Sequence, residues 1–305
     1  MLTRDPGRFL RAFRELSTMP TRPATARAAF LVAPEGFGLA AESAKDNAYM
    51  RMHDRVDPAR ALRQHAELAH ALGADVPVVT FPGDPQTPDA VFPNNVFATT
   101  EGTLIVGRMR HAGRRREARR QDIRRFFTDV LGYRTCDLSI REDLVGELTG
   151  ALVIDRSRGV GFCGLSQRCS EAGARAMHEA FGLRLTLCFD LAAGEYHTNV
   201  LLTCLAGRAM MMAADGFADL AVPNAIAEAY AGRVIVLGSG QKRRYAGNAI
   251  TLHPSRVWMS ATAAASLAPT QRDDLARWGF GIGTVALDEI EKSGGSLRCC
   301  VAEIF

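Results

Sequence analysis

No stretch of this 305-residue sequence approaches 18 uninterrupted apolar residues, so the sequence predicts no membrane span. Aromatic residues make up only 7% of the chain, and three lysines leave arginine as 34 of the 37 basic residues. The formal net charge is a modest +4, which does not by itself indicate a nucleic-acid partner. With 47% hydrophobic and 23% charged residues, the composition is typical of a globular protein that can bury a large core.

Charge is concentrated in one arginine-rich run, residues 108–125. Such a run can bind phosphate groups. Here Glu117 and Asp122 are interspersed among the arginines, and no aromatic side chain lies between them as a stacking platform. We therefore expect the solvated face of a helix, with neither a nucleic-acid nor a membrane partner.

The seven cysteines are odd in number and include no C-x-x-C pair, so the sequence predicts neither a zinc site nor a disulfide framework. A reducing cytoplasm is the simplest location for such a chain. The first residues, MLTRDPGRFLRAFRELS, are amphipathic and lack the apolar core and cleavage site of a signal peptide. The expectation is a cytoplasmic protein without a bound metal.

Short strand-like runs alternate with helical segments along the chain. Asp57 followed by Pro58 predicts the start of a helix that runs to Leu72, and Ser166 as an N-cap predicts another that runs to Phe181. Further helices are predicted at 115–131, 222–230 and 270–278. Strands are predicted at 28–32, 76–80, 90–98, 103–106, 151–154, 159–163, 198–204, 209–213, 234–237, 249–252, 257–260 and 297–304. Strand pairs alternating with helices favour α/β modules, in a single domain of residues 26–305 after an N-terminal extension of residues 1–25.

Four segments carry reactive groups at turns or at the ends of predicted strands. Asp89 precedes an apolar run with two amides, and Glu147 lies in a glycine-flanked turn. His197 begins an apolar strand, and Cys299 follows two glycines near the end of the chain. Each alone has an ordinary interpretation as a turn residue, a loop charge, a structural histidine or a small buried hydrophobe. Together they supply a nucleophile, a base and carboxylates from distant parts of the chain.

In this order the segments FPNN, GELTG, YHTN and SGGSLRC resemble one family. It is the guanidino-group-modifying superfamily, which includes arginine deiminase, dimethylarginine dimethylaminohydrolase, the arginine and succinylarginine dihydrolases, and amidinotransferases. The resemblance runs from about residue 28 to the C-terminus and is greatest to the citrulline-utilisation hydrolases. It implies a five-bladed pseudosymmetric α/β propeller, or pentein, of ββαβ modules with the active site in its central channel.

The resemblance assigns catalytic roles to three residues: Cys299 as nucleophile, His197 as general acid and base, and Glu147 as a ligand of the substrate nitrogen or the histidine. A guanidinium stays protonated, so its attack by the thiolate requires carboxylates that fix its plane. The bound cation and a protonated His197 would stabilise that thiolate, and the imidazole would then protonate the leaving amine and activate water. No metal or organic cofactor is needed. Cys300 is the competing thiol, but only one of two adjacent side chains on a strand can face the cavity, and the resemblance favours Cys299.

The resemblance also implies a set of substrate-binding residues. Asp89 would hold the guanidinium, and Arg168 would hold the substrate carboxylate, with Arg108 a weaker candidate for that task. Asn95 and Asn199 stand where several relatives carry aspartates. An amide both donates and accepts hydrogen bonds, so Asn95 would tolerate a neutral ureido group where a carboxylate would face its carbonyl oxygen.

The sequence therefore predicts a cysteine-dependent hydrolase that cleaves a C–N bond of a small guanidino or ureido compound, such as arginine or citrulline. Loss of two clamp carboxylates leaves an amidinotransferase open as an alternative. A non-catalytic propeller that binds arginine-like ligands is another. The expected partner is a small molecule, and a homodimer is left open.

Overall fold

The structure, a computed structural model, describes residues 1–16 and 22–305. Its strands form five separate sheets. The strands are β1 (Leu2–Thr3), β2 (Ala28–Val32), β3 (Val78–Phe81), β4 (Phe97–Thr100), β5 (Thr103–Val106), β6 (Arg134–Asp137), β7 (Leu152–Asp155), β8 (Val160–Leu165), β9 (Leu185–Asp190), β10 (Leu202–Leu205), β11 (Ala209–Met212), β12 (Val234–Val236), β13 (Ile250–His253), β14 (Arg256–Ser260), β15 (Gly281–Val285) and β16 (Ala302–Ile304).

Helices connect these strands. They are α1 (Pro6–Glu15), α2 (Pro58–Leu72), α3 (Ala112–Glu117), α4 (Gln121–Arg125), α5 (Leu148–Ala151), α6 (Glu171–Ala180), α7 (Thr198–Leu201), α8 (Ala221–Ala229), α9 (Ser239–Arg243), α10 (Ala261–Ser266), α11 (Pro269–Arg277), α12 (Asp288–Glu291) and α13 (Leu297–Cys300). In the described ranges, no helix has the length and apolar character needed to cross a bilayer.

Every sheet has the same plan, in which a central strand pairs antiparallel on one side and parallel on the other. The central strands are β2, β5, β8, β11 and β14. The parallel partner follows after a helix, as a parallel pair requires a crossover connection. The antiparallel partner precedes the central strand in four sheets, whereas β2 pairs with β16 from the end of the chain. Each sheet is thus a ββαβ unit.

The core lies between the sheets and the helices that cover them, and neighbouring sheets share it. Phe30 of β2 packs edge-on against Phe97 of β4 at 6.4 Å between ring centroids, and against Phe127 at 5.5 Å. Phe162 of β8 and Met210 of β11 belong to one buried cluster. Each fully buried aromatic ring stabilises such a core by about 1.5–3 kcal/mol relative to an exposed one.

The N-terminal segment packs against the sheets in the part that is described. Strand β1 pairs parallel with β9, and α1 begins at an Asp5 N-cap that accepts a hydrogen bond from the Arg8 amide. Phe9 of this helix is fully buried and packs against Phe162. The proposed boundary at residue 26 stays a prediction.

Three predicted strands each contain one helical turn, and all three carry candidate site residues. The predicted strand 90–98 contains the 3₁₀ turn Pro93–Asn95, the strand 198–204 begins with α7, and the strand 297–304 begins with α13. Cys299 therefore lies in a helical turn before β16, and the expectation of a strand-tip thiol is wrong. Because these turns are short and their side chains are buried on every side, they leave no helical period in the sequence.

Two predicted helices also differ from the structure. Residues 115–131 contain the end of α3, then α4 and a π-helical turn, Phe126–Val130. The helix predicted to start at Ser166 starts at Glu171, because the Ser170 hydroxyl, and not that of Ser166, caps it by accepting from the Gly173 amide at 3.1 Å.

Candidate active site

Five polar side chains lie at or next to the short turns that precede the first strand of each ββαβ unit. Asn95 ends the turn before β4, Glu147 is the N-cap of α5 before β7, and His197 is the N-cap of α7 before β10. Asn248 precedes β13, and Cys299 lies in α13 before β16. All five are at most 3% exposed. Each unit thus contributes one of these side chains, two to five residues before its first strand.

A cavity of about 300 Å³ lies beside several of these turns. Cys299, His197, Asp89, Asn95 and Arg168 all line it. Residues separated by more than 200 positions in the sequence therefore meet around one space.

Glu147 lies behind the cavity wall and forms hydrogen bonds with two residues that line the cavity, His197 and Arg168. Its Oε2 accepts from His197 Nε2 at 2.9 Å and from Arg168 Nη1 at 3.2 Å, and its Oε1 accepts from the Arg110 amide at 3.1 Å. The His197 Nδ1 atom is buried and has no partner among the described residues. Because Nε2 is already bound, Nδ1 is the ring nitrogen left free to exchange a proton with a ligand.

The electrostatics of this pair favour an ionised carboxylate beside a neutral imidazole. Burial alone would raise the pKa of Glu147, but Arg168 and His197 hold that pKa well below its usual range. Burial lowers the pKa of His197, although the Glu147 carboxylate opposes this shift. The protonated imidazole expected from the sequence is therefore not the favoured state of the unliganded site at neutral pH.

The Cys299 thiol is held by two asparagines. Asn248 Nδ2 donates to Sγ at 3.3 Å, Asn248 Oδ1 accepts from the Cys299 amide at 3.4 Å, and Sγ lies 3.8 Å from Asn199 Oδ1. Burial raises the pKa of Cys299, although the Ser296 backbone and the Asn248 side chain oppose it. The raised pKa favours the neutral thiol of Cys299 at neutral pH. Cys300 packs into an apolar cluster and does not line the cavity.

Asp89 faces the cavity with two serines. Its Oδ2 accepts from the Ser43 hydroxyl, and its Oδ1 accepts from the Ser293 hydroxyl at 3.3 Å. The Oδ1 atom of Asn95 is buried without a partner among the described residues. An unpaired acceptor and a carboxylate on one wall suit a ligand that presents several N–H donors.

Arg168 lines the cavity, but its guanidinium is already engaged. Asp46 Oδ1 accepts from Nε at 2.9 Å and from Nη2 at 2.6 Å, and the Ser43 carbonyl accepts from Nη2 at 3.1 Å. Arg108 is not among the lining residues, and its guanidinium donates to the Ser139 carbonyl at 2.9 Å.

The arginine-rich run is not uniformly a solvated face. Arg114 is buried, lines the cavity, and donates to the carbonyls of Asp89 and Phe92 at 3.2 and 3.0 Å. It forms a buried ion pair with Glu117 at 2.8 Å. For these two residues the expectation of a solvated helix face is wrong.

Several residues of the site were not predicted from the sequence, among them Ser43, Asp46, Arg114, Asn248 and Ser293. Ser43 and Asp46 lie in a long irregular segment between β2 and α2 whose composition gives no signal. Asn248 lies two residues before β13, as Asn95 lies two residues before β4, but it belongs to none of the recognised motifs.

A close backbone approach requires glycine at position 150. A Cβ there would lie 2.5 Å from Asn95 Oδ1 and 2.8 Å from His197 Cε1, closer than real Cβ atoms come. The absence of a side chain lets the turn after Glu147 pack directly behind the imidazole.

This fold and this constellation place the chain in the guanidino-group-modifying superfamily, and the resemblance seen in the sequence is confirmed. A family model described as N,N dimethylarginine dimethylhydrolase, eukaryotic, matches residues 33–305, so the chain belongs to that family.

Solved structures show the same α/β fold at low sequence identity. ArgZ, an arginine dihydrolase from the ornithine–ammonia cycle in cyanobacteria, has a TM-score of 0.79 at 18% identity, covering 91% of this chain and 40% of that one. The substrate-bound N-terminal domain of ArgZ has a TM-score of 0.78 at 18% identity, covering 91% and 97%. An adduct of dimethylarginine dimethylaminohydrolase with 4-chloro-2-hydroxymethylpyridine has a TM-score of 0.69 at 21% identity, covering 91% and 99%. The chain thus spans about 40% of the length of that ArgZ chain.

Proposed function

We propose that this protein is a cysteine-dependent hydrolase that cleaves a C–N bond of a guanidino compound and releases ammonia or an amine. One observation carries the proposal: Cys299, His197 and Asp89 line a single cavity, and Glu147 fixes the imidazole from behind. The family match to dimethylarginine dimethylhydrolases makes N-methylated arginines the first substrates to consider. ArgZ adds arginine itself as a second candidate.

The resting protonation states determine the order of events. A guanidinium cation that enters the cavity stabilises the thiolate, and the thiol proton passes to the free Nδ1 of His197. The thiolate attacks the guanidinium carbon, and the imidazolium returns its proton to the leaving nitrogen as the C–N bond breaks. Neutral His197 then takes a proton from a water molecule that attacks the thiouronium carbon. The C–S bond breaks as the carbonyl forms with loss of the hydroxyl proton, and the imidazolium returns its proton to the sulfur. The products are a ureido compound and the amine, and the thiol is restored.

Binding of the cation depends on Asp89. Its carboxylate, oriented by Ser43 and Ser293, would accept charge-assisted hydrogen bonds from the guanidinium nitrogens. The free oxygen of Asn95 would accept another. Because the Asn95 amide also offers N–H donors, hydrolysis of a ureido compound such as citrulline remains part of the proposed range.

The carboxylate-binding role of Arg168 stays a prediction. Since Asp46 and Glu147 already bind its guanidinium, a substrate carboxylate would have to share that cation. Arg114, which also lines the cavity, is a further cation within reach of the same space.

We also propose that the five ββαβ units are the blades of a pseudosymmetric propeller around the cavity. The first strands of several neighbouring units contact one another, β16 with β4, β7 with β10, and β10 with β13. Each unit also contributes one polar residue to the centre.

Turnover of three substrates by the purified full chain tests the catalytic proposal. N,N-dimethylarginine, arginine and citrulline are offered separately, and dimethylamine, ammonia, citrulline and ornithine are quantified. We expect amine or ammonia release in step with a ureido product, and a covalent adduct on Cys299 in acid-quenched samples. Saturable binding without turnover would instead indicate a binding protein. Formation of guanidinoacetate from arginine and added glycine, with release of ornithine but of neither ammonia nor dimethylamine, would indicate an amidinotransferase.

A further inference from the structure

A second cavity lies on the other side of Asn199 from the catalytic cavity. Asn199 and Thr149 line it, and the Asn199 amide donates to the Thr149 carbonyl at 3.0 Å. The same Asn199 side chain lies 3.8 Å from the Cys299 sulfur. The two cavities are therefore separated by about one layer of side chains. We call the second one the rear cavity.

The rear cavity is lined by a cation without an acidic partner. Arg156 donates to the Thr99 carbonyl at 3.1 Å, and its guanidinium carbon lies 4.1 Å from the Phe305 ring centroid and 5.1 Å from that of Phe181. No carboxylate of residues 1–16 or 22–305 forms an ion pair with it, and residues 17–21, STMPT, include no acidic side chain.

Arg156 is nevertheless charged. Burial lowers its pKa to about 10, which leaves the guanidinium protonated at neutral pH. Arg156 is partly buried, and taking such a cation even partly out of water is costly unless it is paired and hydrogen-bonded. Two aromatic faces offset part of that cost, since a cation–π contact over a ring face stabilises the charge.

The remaining charges of the rear cavity do not neutralise Arg156. Arg298 and Glu303, which also line it, pair with each other at 2.9 Å. The Thr251 hydroxyl oxygen accepts from the Ala206 amide at 3.0 Å, so its O–H remains available as a donor. The lining thus offers one uncompensated positive charge and a hydroxyl donor.

A groove next to the rear cavity is also lined by more positive than negative side chains. The groove, of about 1270 Å³, shares Ile154 and Arg156 with the rear cavity. Four arginines and two glutamates line that groove: Arg22, Arg27, Arg134, Arg156, Glu101 and Glu179. An excess of positive charge along a groove raises the local concentration of anions.

From the unpaired guanidinium, the room beside it and the free hydroxyl, we propose that the rear cavity binds a small oxyanion, a carboxylate or a phosphate, on Arg156. The planar fork of a guanidinium binds both kinds of oxyanion through two parallel hydrogen bonds. This site is separate from the proposed catalytic cavity and does not depend on its chemistry.

Binding of inorganic phosphate and of acetate to the full chain tests the proposal. Each is titrated at constant ionic strength, and calorimetry and the thermal midpoint are followed. We expect saturable binding of at least one of the two and a midpoint that rises with its concentration. The anion that binds more tightly identifies the class of ligand.

Substitutions locate the site. Arg156→Met keeps the apolar stem between the two rings and should abolish the saturable binding. Arg134→Met, at an arginine of the groove alone, should keep the binding. If Arg156→Met does not fold, Arg156→Lys replaces it; loss of the planar fork should then weaken binding about tenfold. Saturable binding that is unchanged in the Arg156 variant, or no saturable binding of either anion to the native protein, would overturn the proposal.

Discussion

Replacement of Asn248 by alanine should raise the pKa of the Cys299 thiol. Asn248 Nδ2 is the side-chain donor that contacts the sulfur, at 3.3 Å, and Asn248 Oδ1 accepts from the amide of the same cysteine. The wild-type thiol already has a raised pKa because of its burial, and Asn248 is one of the groups that oppose the shift. Removing this donor therefore lets burial raise the pKa of Cys299 further.

The size of the effect follows from the negative charge of the Cys299 thiolate, to which the Asn248 side-chain amide donates. A hydrogen bond to a charged group stabilises it by about 1.5–3 kcal/mol, which corresponds to a rise of roughly 1–2 pKa units. At a fixed pH below the pKa, the thiolate fraction should fall by about 10–100-fold. Asn248→Asp should raise the pKa further, since a carboxylate would then face the sulfur.

The assay is the rate of Cys299 alkylation by iodoacetamide as a function of pH, with the modified peptide identified by mass spectrometry. The accessibility of the buried thiol determines the maximum rate of alkylation at high pH. The pKa of the thiol determines the pH at which the rate is half of that maximum. Asn199→Ala is the matched control. The Asn199 Oδ1 atom accepts from Sγ, and its Nδ2 donates to the Thr149 carbonyl and not to the sulfur, so this substitution removes no donor from Sγ and should not raise the half-point. An Asn248→Ala curve that keeps the wild-type half-point would refute this account of the thiol.

Three further outcomes are expected. Cys299→Ala should abolish amine release, whereas Cys300→Ala should retain it because that thiol lies in an apolar cluster away from the cavity; equal loss in both would contradict the assignment. Gly150→Ala should lower kcat because its Cβ would lie 2.5 Å from Asn95 Oδ1, and Gly240→Ala, whose Cβ would meet nothing within 4 Å, should not; unchanged kcat in the first would remove the steric argument. Asn95→Asp adds a second acid beside the ligand and should shift the ratio of kcat/KM values from citrulline toward cationic arginine; an unaltered ratio would show that Asn95 does not govern this choice.

Local sequence patterns predicted most of the α/β framework because its strands and longer helices have clear signals. The Asp57–Pro58 pair marks the start of α2, where the aspartate accepts from the Arg60 amide at 3.0 Å. The turns that carry the site could not be predicted in the same way. In α7 and α13 most side chains are buried, so helix and buried strand have the same apolar composition over so few residues.

The candidate catalytic residues could be predicted because they stand in recognisable motifs. The residues that hydrogen-bond to the site residues and hold them in place could not be predicted. Asp46 contacts Arg168 across 122 positions of the chain, and Asn248 contacts Cys299 across 51. A short polar side chain in an irregular segment has no local property that reveals such a partner. The resting charges of Cys299 and His197 were likewise unpredictable, since burial determines them.

One polar residue per ββαβ unit has a consequence for how such a molecule can change. A substitution at the turn before a single strand alters one functional group while the hydrogen-bonded pairs of every sheet stay as they are. Because β2 already completes its sheet with a strand from the far end of the sequence, a circularly permuted chain that opens between two other units would keep all five groups at the centre. New reactivity can therefore arise by replacing one group at a time on an unaltered scaffold.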